Sequence, residues 1–136
     1  MIIGIGVDLV SVGRIEKLYR DFGEKFVEKI FTKNEILTAQ NIKIQDDNFS
    51  KRSIFYAKRF AAKEAFSKAC GLGIGRGVDF CDIEIFNNKL GQPAIKILNN
   101  KKDFLLKHFG CQDFSVHLSI SDEMPLAQAF VVIEVF

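Results

Sequence analysis

Apolar residues recur with two different periods along this chain, and the alternation between them outlines its elements. Ile2 to Val7 is a short apolar run that predicts a buried strand, ending at Asp8. Gly4 and Gly6 within it mark a place where another element packs closely against the backbone. Ser11 is an N-cap candidate, and Ile15, Leu18, Tyr19 and Phe22 follow at helical spacing. On that helix Lys17 lies opposite the apolar stripe, and Arg14 and Arg20 flank it. Phe31-Thr32-Lys33-Asn34-Glu35-Ile36 reads as a capping box with a hydrophobic staple, a structural device that starts a helix. Asn41 to Ser50 is polar and predicts a loop.

A long helix is predicted from about Lys51 to Cys70, closed by Gly71. Gly71-Leu-Gly-Ile-Gly-Arg-Gly77 is a glycine-rich loop. Ile83–Phe86 and Ala94–Ile97 predict a hairpin around Asn87–Gly91, and a short helix covers Lys101 to His108. Phe114 to Ser121 alternates strictly between apolar and polar residues. Leu126 to Phe136 is nearly all apolar, so a central strand is expected. Helices and strands in this order predict an α+β fold, with a long central helix packed on a small, largely antiparallel sheet.

Composition narrows the class. The 136 residues suit one domain spanning 1–136. With 48% apolar residues and 14 Phe, a packed core is expected. A net charge of +2 argues against a nucleic-acid partner, which usually selects a strong basic excess. Cys70, Cys81 and Cys111 form no C-x-x-C pair, which favours reduced thiols and a cytoplasmic location. The first eight residues lack the basic and long apolar regions of a signal peptide. No apolar run is long enough for a membrane span.

Candidate chemistry centres on Arg59-Phe-Ala-Ala-Lys-Glu-Ala-Phe-Ser-Lys-Ala69. Glu64 stands among small and aromatic residues with Lys63 and Lys68 nearby. One reading is an ordinary i,i+4 ion pair with Lys68, worth about 0.2–0.5 kcal/mol on an exposed helix. The other is a carboxylate of restricted solvation that wants a cation. Magnesium takes one or two carboxylates, keeps several waters and binds substrate phosphates. Asp8 would be the second carboxylate if its strand packs beside the helix; otherwise it is a turn residue bonding backbone amides. On the strand from Phe114, the residues Ser115, His117, Ser119 and Ser121 share one face, either solvated or donating to phosphate oxygens. The dinucleotide fingerprint and the P-loop are both missing, since Gly4-x-Gly6 lacks its third glycine and Gly71–Gly77 follows a helix.

Taken in order, Gly4-Ile-Gly-Val-Asp8 with Arg14-Ile15, Phe31-Thr-x-x-Glu35 and Arg59–Ala69 carry a specific resemblance. Gly71-x-Gly-Ile-Gly-Arg76, Asp82-Ile-Glu-Ile85, Gly91-x-Pro93 and His117-Leu-Ser-Ile-Ser121 continue it over nearly the whole chain. The sequence resembles the holo-acyl-carrier-protein synthases, the short class of 4′-phosphopantetheinyl transferases. The resemblance implies magnesium-dependent transfer of 4′-phosphopantetheine from coenzyme A to a serine of apo acyl carrier protein, releasing adenosine 3′,5′-bisphosphate in support of fatty acid biosynthesis. It implies Asp8 and Glu64 as metal ligands, with catalysis by Asp8, Glu64 and Lys68. Arg59, Lys68, Gly71, Gly73, Gly75, His117, Ser119 and Ser121 would hold coenzyme A. It further implies a homotrimer with active sites between subunits, and docking of the acidic carrier on Arg14, Lys17 and Arg20. The general base stays open between Glu64 and a metal-bound water. Many members carry His after the last Ser of the strand motif; here Asp122 would repel a 3′-phosphate at that position. Two rival classes share parts of these features: a magnesium-dependent phosphohydrolase, and a non-catalytic module that binds acidic helical proteins.

Overall fold

A computed structural model describes residues 1–42 and 50–136 of the chain. In chain order the elements are β1 (Ile2–Ser11), α1 (Val12–Phe22), α2 (Glu24–Ile30), α3 (Lys33–Gln40), α4 (Lys51–Ala69), a 3-10 turn (Phe80–Asp82), β2 (Ile83–Asn87), β3 (Pro93–Ile97), α5 (Lys101–Phe109), β4 (Phe114–Glu123) and β5 (Leu126–Val135). The fold is α+β as expected. Strands β1, β5 and β4 form one antiparallel sheet in that order, and β2 and β3 form a separate hairpin. No described helix is long and apolar enough to cross a membrane.

Helix α4 lies across β1 and β5 and is the centre of the core. Its Ala57, Ala61, Ala62, Ala65 and Phe66 are fully buried. Small residues let the helix approach the sheet closely, and the glycines of β1 complete the fit. A Cβ on Gly6 would stand 1.9 Å from the Ala65 carbonyl oxygen, and one on Gly4 equally close to that of Ala69. The close approach expected of these glycines is therefore made by the C-terminal half of α4 itself.

Several elements differ from expectation for identifiable reasons. β1 does not stop at Asp8; its pairing with β5 continues from Asp8↔Ala129 to Ser11↔Leu126. Nor is β1 buried on both faces. It is an edge strand whose even positions meet α4, while Ile3, Ile5, Val7 and Leu9 remain exposed. β5 is central in strand order, as expected, yet it also alternates between a covered and an open face. The helix α2 had no predicting signal: it is seven residues long, with Gly23 as an N-cap that offers no side chain. The predicted loop Asn41–Ser50 falls outside the described residues except at its ends.

The capping box at Thr32 and Glu35 is present, but it does more than start α3. Glu35 is 2% exposed and accepts from Lys63 Nζ at 2.6 Å and from the Ile85 amide at 2.8 Å. Lys63, fully buried, also donates to the carbonyls of Ile30 and Phe80. Burial lowers its proton affinity, and the Glu35 charge opposes that shift. The pair ties α4 to α3, α2 and the β2 hairpin in one network. Thr32 Oγ1 extends it to the buried carboxylate of Glu84 at 2.6 Å. The sequence marked Lys63 only as a cation near Glu64 and Glu84 only as part of a motif; the network that joins them through Glu35 and Thr32 was not foreseen.

Candidate active site

Asp8 and the last two turns of α4 meet at one end of the sheet. Asp8 shares the α4-facing side of β1 with Gly4 and Gly6, because side chains alternate along a strand. The glycines bring α4 against the backbone, which places Lys68 over β1. Lys68 Nζ donates to the Val7 carbonyl at 3.0 Å and to Asp8 Oδ1 at 3.1 Å. Of the two readings of Glu64, the i,i+4 pair with Lys68 is not the one formed; Lys68 pairs with Asp8 across two elements. Glu64 is half-buried. Burial raises its proton affinity above the usual carboxylate range, the Asp8 charge raises it further, and Lys68 and Arg14 oppose the shift. A partly desolvated carboxylate at Glu64, whose ionisation the nearby Asp8 charge opposes, makes with Asp8 a donor set that fits a divalent cation. Among the described residues, no group of three or more His, Cys, Asp or Glu is arranged to hold a metal ion.

The other predicted residues fall into three places. Gly71 follows the C-cap of α4 with φ +71°, so the Gly71–Gly75 loop begins one turn beyond Lys68. His117, Ser119 and Ser121 share the open face of β4, with β5 between them and β1. Because Asp8 aligns through Ala129 with Ile120, the serines point to the side of the sheet opposite Asp8. One chain therefore does not bring the His117 strand together with Asp8 and Glu64. His117 Nε2 instead lies 3.1 Å from Glu134 Oε2.

Arg59 is placed apart from both. It is buried, its guanidinium stacks 3.7 Å over the Phe55 ring, and its Nε has no hydrogen-bond partner. It borders a cavity of about 280 Å³ with Asn34, Glu35, Thr38, Glu84 and Asn87. Burial lowers its proton affinity, and the Glu35 charge opposes this. The RFAAKEA-type segment thus splits around the helix: Arg59 and Lys63 face α3 and the hairpin, whereas Glu64 and Lys68 face β1.

Asp122 has a local partner that the sequence did not reveal. Lys58 Nζ lies 3.3 Å from Asp122 Oδ1, and the ammonium offsets the negative charge. On α1, Lys17 pairs with Asp21 at 3.4 Å and Arg20 with Glu16 at 3.6 Å, both exposed i,i+4 pairs of small energetic weight. Arg14 makes no ion pair among the described residues.

With this geometry in view, the comparisons are consistent from end to end. Residues 4–127 match the 4′-phosphopantetheinyl transferase superfamily. A holo-acyl-carrier-protein synthase of Bartonella bacilliformis is 47% identical over 135 residues, 98% of this chain and 96% of that one. The crystal structure of the holo-acyl-carrier-protein synthase from Neisseria meningitidis superposes with a TM-score of 0.83 at 40% identity, covering 98% and 99% of the two chains. The Bacillus anthracis enzyme, solved in complex with CoA (3′,5′-ADP), gives 0.80 at 40% identity over 100% and 99%. The chain belongs to the 4′-phosphopantetheinyl transferase superfamily, among its holo-acyl-carrier-protein synthases.

Proposed function

We propose that this protein transfers 4′-phosphopantetheine from coenzyme A to a serine of apo acyl carrier protein, releasing adenosine 3′,5′-bisphosphate. The observation that carries the reading is the meeting of Asp8, Glu64 and Lys68 across β1 and α4, in a chain of this family. Asp8 and Glu64 are the residues that would hold magnesium. When bound, such an ion would supply positive charge to neutralise the charge that develops on the diphosphate. Lys68, one helical turn beyond Glu64, places an ammonium beside the same phosphates. The glycine amides after α4 and the hydroxyls of Ser119 and Ser121 are suited to phosphate oxygens, with His117 on the same face of β4. Transfer of this type is chiefly positioning and charge stabilisation, so no residue needs to become covalently attached.

The open apolar face of the sheet supports a homotrimer. Ile5 is 61%, Leu9 60% and Phe130 43% exposed, and a contiguous apolar face of this kind marks an interaction surface. In such an assembly the His117 strand of one subunit would serve the Asp8 and Glu64 of its neighbour. Arg14, with Lys17 and Arg20 on the same helix, is the cationic surface for an acidic carrier, acting mainly through steering and orientation. The reading places the enzyme in the cytoplasm and in fatty acid biosynthesis, with residues 1–136 acting as one domain. Mass spectrometry of an apo carrier protein after incubation with the enzyme, coenzyme A and magnesium tests it. A gain of one phosphopantetheine group per carrier is expected; no gain with any divalent cation would overturn the proposal.

A further inference from the structure

We propose that Phe104 and His108 of α5 are positioning residues that lock the Gly71–Gly77 loop at both ends. The inference rests on the reading that this loop holds coenzyme A. At the far end of the loop, Gly77 has φ +101°, and a Cβ there would stand 2.3 Å from the Phe104 ring. Phe104 therefore occupies the space that any other residue at position 77 would fill. At the near end, His108 Nε2 lies 2.9 Å from the Cys70 carbonyl oxygen, and a carbonyl can only accept. That carbonyl belongs to the C-cap of α4, where the helix itself supplies no donor. The two rings stand parallel, with 1° between their planes and centroids 6.3 Å apart, at i and i+4 on α5. Leu105, fully buried, anchors the helix beneath them.

Between those ends the loop is folded by its own bonds. Ser67 Oγ donates to the Leu72 carbonyl at 2.6 Å, and the Gly75 amide to that of Val78 at 3.0 Å. Among the described residues the amides of Gly73, Ile74 and Gly77 make no hydrogen bond, so they are donors available to an anion. A glycine-rich segment is costly to order on binding, and a clamp at both ends supplies that order beforehand. The clamp acts on substrate affinity, because neither ring bonds or stacks with Asp8, Glu64 or Lys68.

The test uses full-length protein with His108→Ala, Phe104→Ala and His108→Gln, whose side-chain N–H can reach the same carbonyl. Each alanine variant should raise the KM for coenzyme A roughly tenfold, as the loss of one positioning contact would, with kcat within about twofold of wild type. His108→Gln should restore KM. Hydrogen exchange of peptides covering residues 71–77 should quicken in the alanine variants, while peptides from β5 stay unchanged. Unaltered KM and unaltered exchange overturn the proposal, as does a joint loss of kcat and KM that Gln does not rescue. If wild-type enzyme transfers nothing from coenzyme A, the functional reading has failed on its own, and exchange at 71–77 still decides the clamp.

Discussion

Glu64 is the residue at which charge, burial and chemistry meet. Its half-buried carboxylate is pushed toward the protonated form by desolvation and by Asp8, an arrangement that the proposed cation would relieve. Glu64→Gln keeps the shape and removes the charge. It should lower phosphopantetheine transfer by roughly 100-fold or more, with a circular dichroism spectrum like that of wild type. Transfer within a factor of two of wild type would remove Glu64 from the site. Tyr56 carries a different consequence of burial, in the core between Phe31 and Phe55. Desolvation first, and Tyr19 second, raises its phenol from 10.0 to about 12. The folded state thus holds a proton that the unfolded state releases across that window. Stability from this group is complete below pH 10 and is lost as pH rises toward about 12. Urea midpoints should fall more steeply through this range for wild type than for Tyr56→Phe; equal slopes would refute the assignment.

At the scale of elements, the contact between β1 and α4 decides whether the two carboxylates meet. Gly6→Ala forces a methyl group into the Ala65 carbonyl, both sides being backbone. The substitution should cost about 1–3 kcal/mol or more, measured by urea denaturation. Transfer should fall even where the variant is fully folded, because Asp8 moves away from Lys68; a folded variant of normal activity would contradict this. The Lys63–Glu35 pair makes a second junction, joining α4 to α3. Lys63→Met leaves Glu35 buried without its cation and should cost about 3–5 kcal/mol. Adding Glu35→Leu should not restore stability, since the Thr32 and Ile85 amides then lose their acceptor. Full recovery in the double variant would show that the carboxylate contributes nothing to those amides.

For the whole molecule, the sheet is covered on one side by α4 and open on the other. A charge placed on the open face should separate subunits without disturbing the core. In the proposed homotrimer, Phe130→Arg is expected to reduce the mass in sedimentation from about three times 15.4 kDa to that of the single chain, and to abolish transfer. Arg14 belongs to this scale too, because the partner proposed for it is a second protein, the acidic carrier. Arg14→Ala should raise the KM for the carrier protein roughly tenfold at low ionic strength, with less effect in high salt. An effect independent of salt would argue against steering.

Period and capping signals set most of the elements in advance. The long helix ending before Gly71, the hairpin and the alternation of β4 follow from local rules that act within a few residues of sequence. So do the two glycines of β1, whose lack of a side chain left open which element would approach. The motif residues Asp8, Glu64 and Lys68 were legible for the same reason, as residue types out of keeping with their surroundings. Tertiary structure decided what each of them meets. Lys68 pairs with Asp8 instead of Glu64, Lys63 is spent on Glu35, Arg59 turns to the far side of the helix, and Asp122 finds Lys58. Sequence spacing fixes which face of an element a side chain occupies. The partner across the gap depends on how distant segments pack, and that is settled by close approach of backbone and burial of charge in three dimensions.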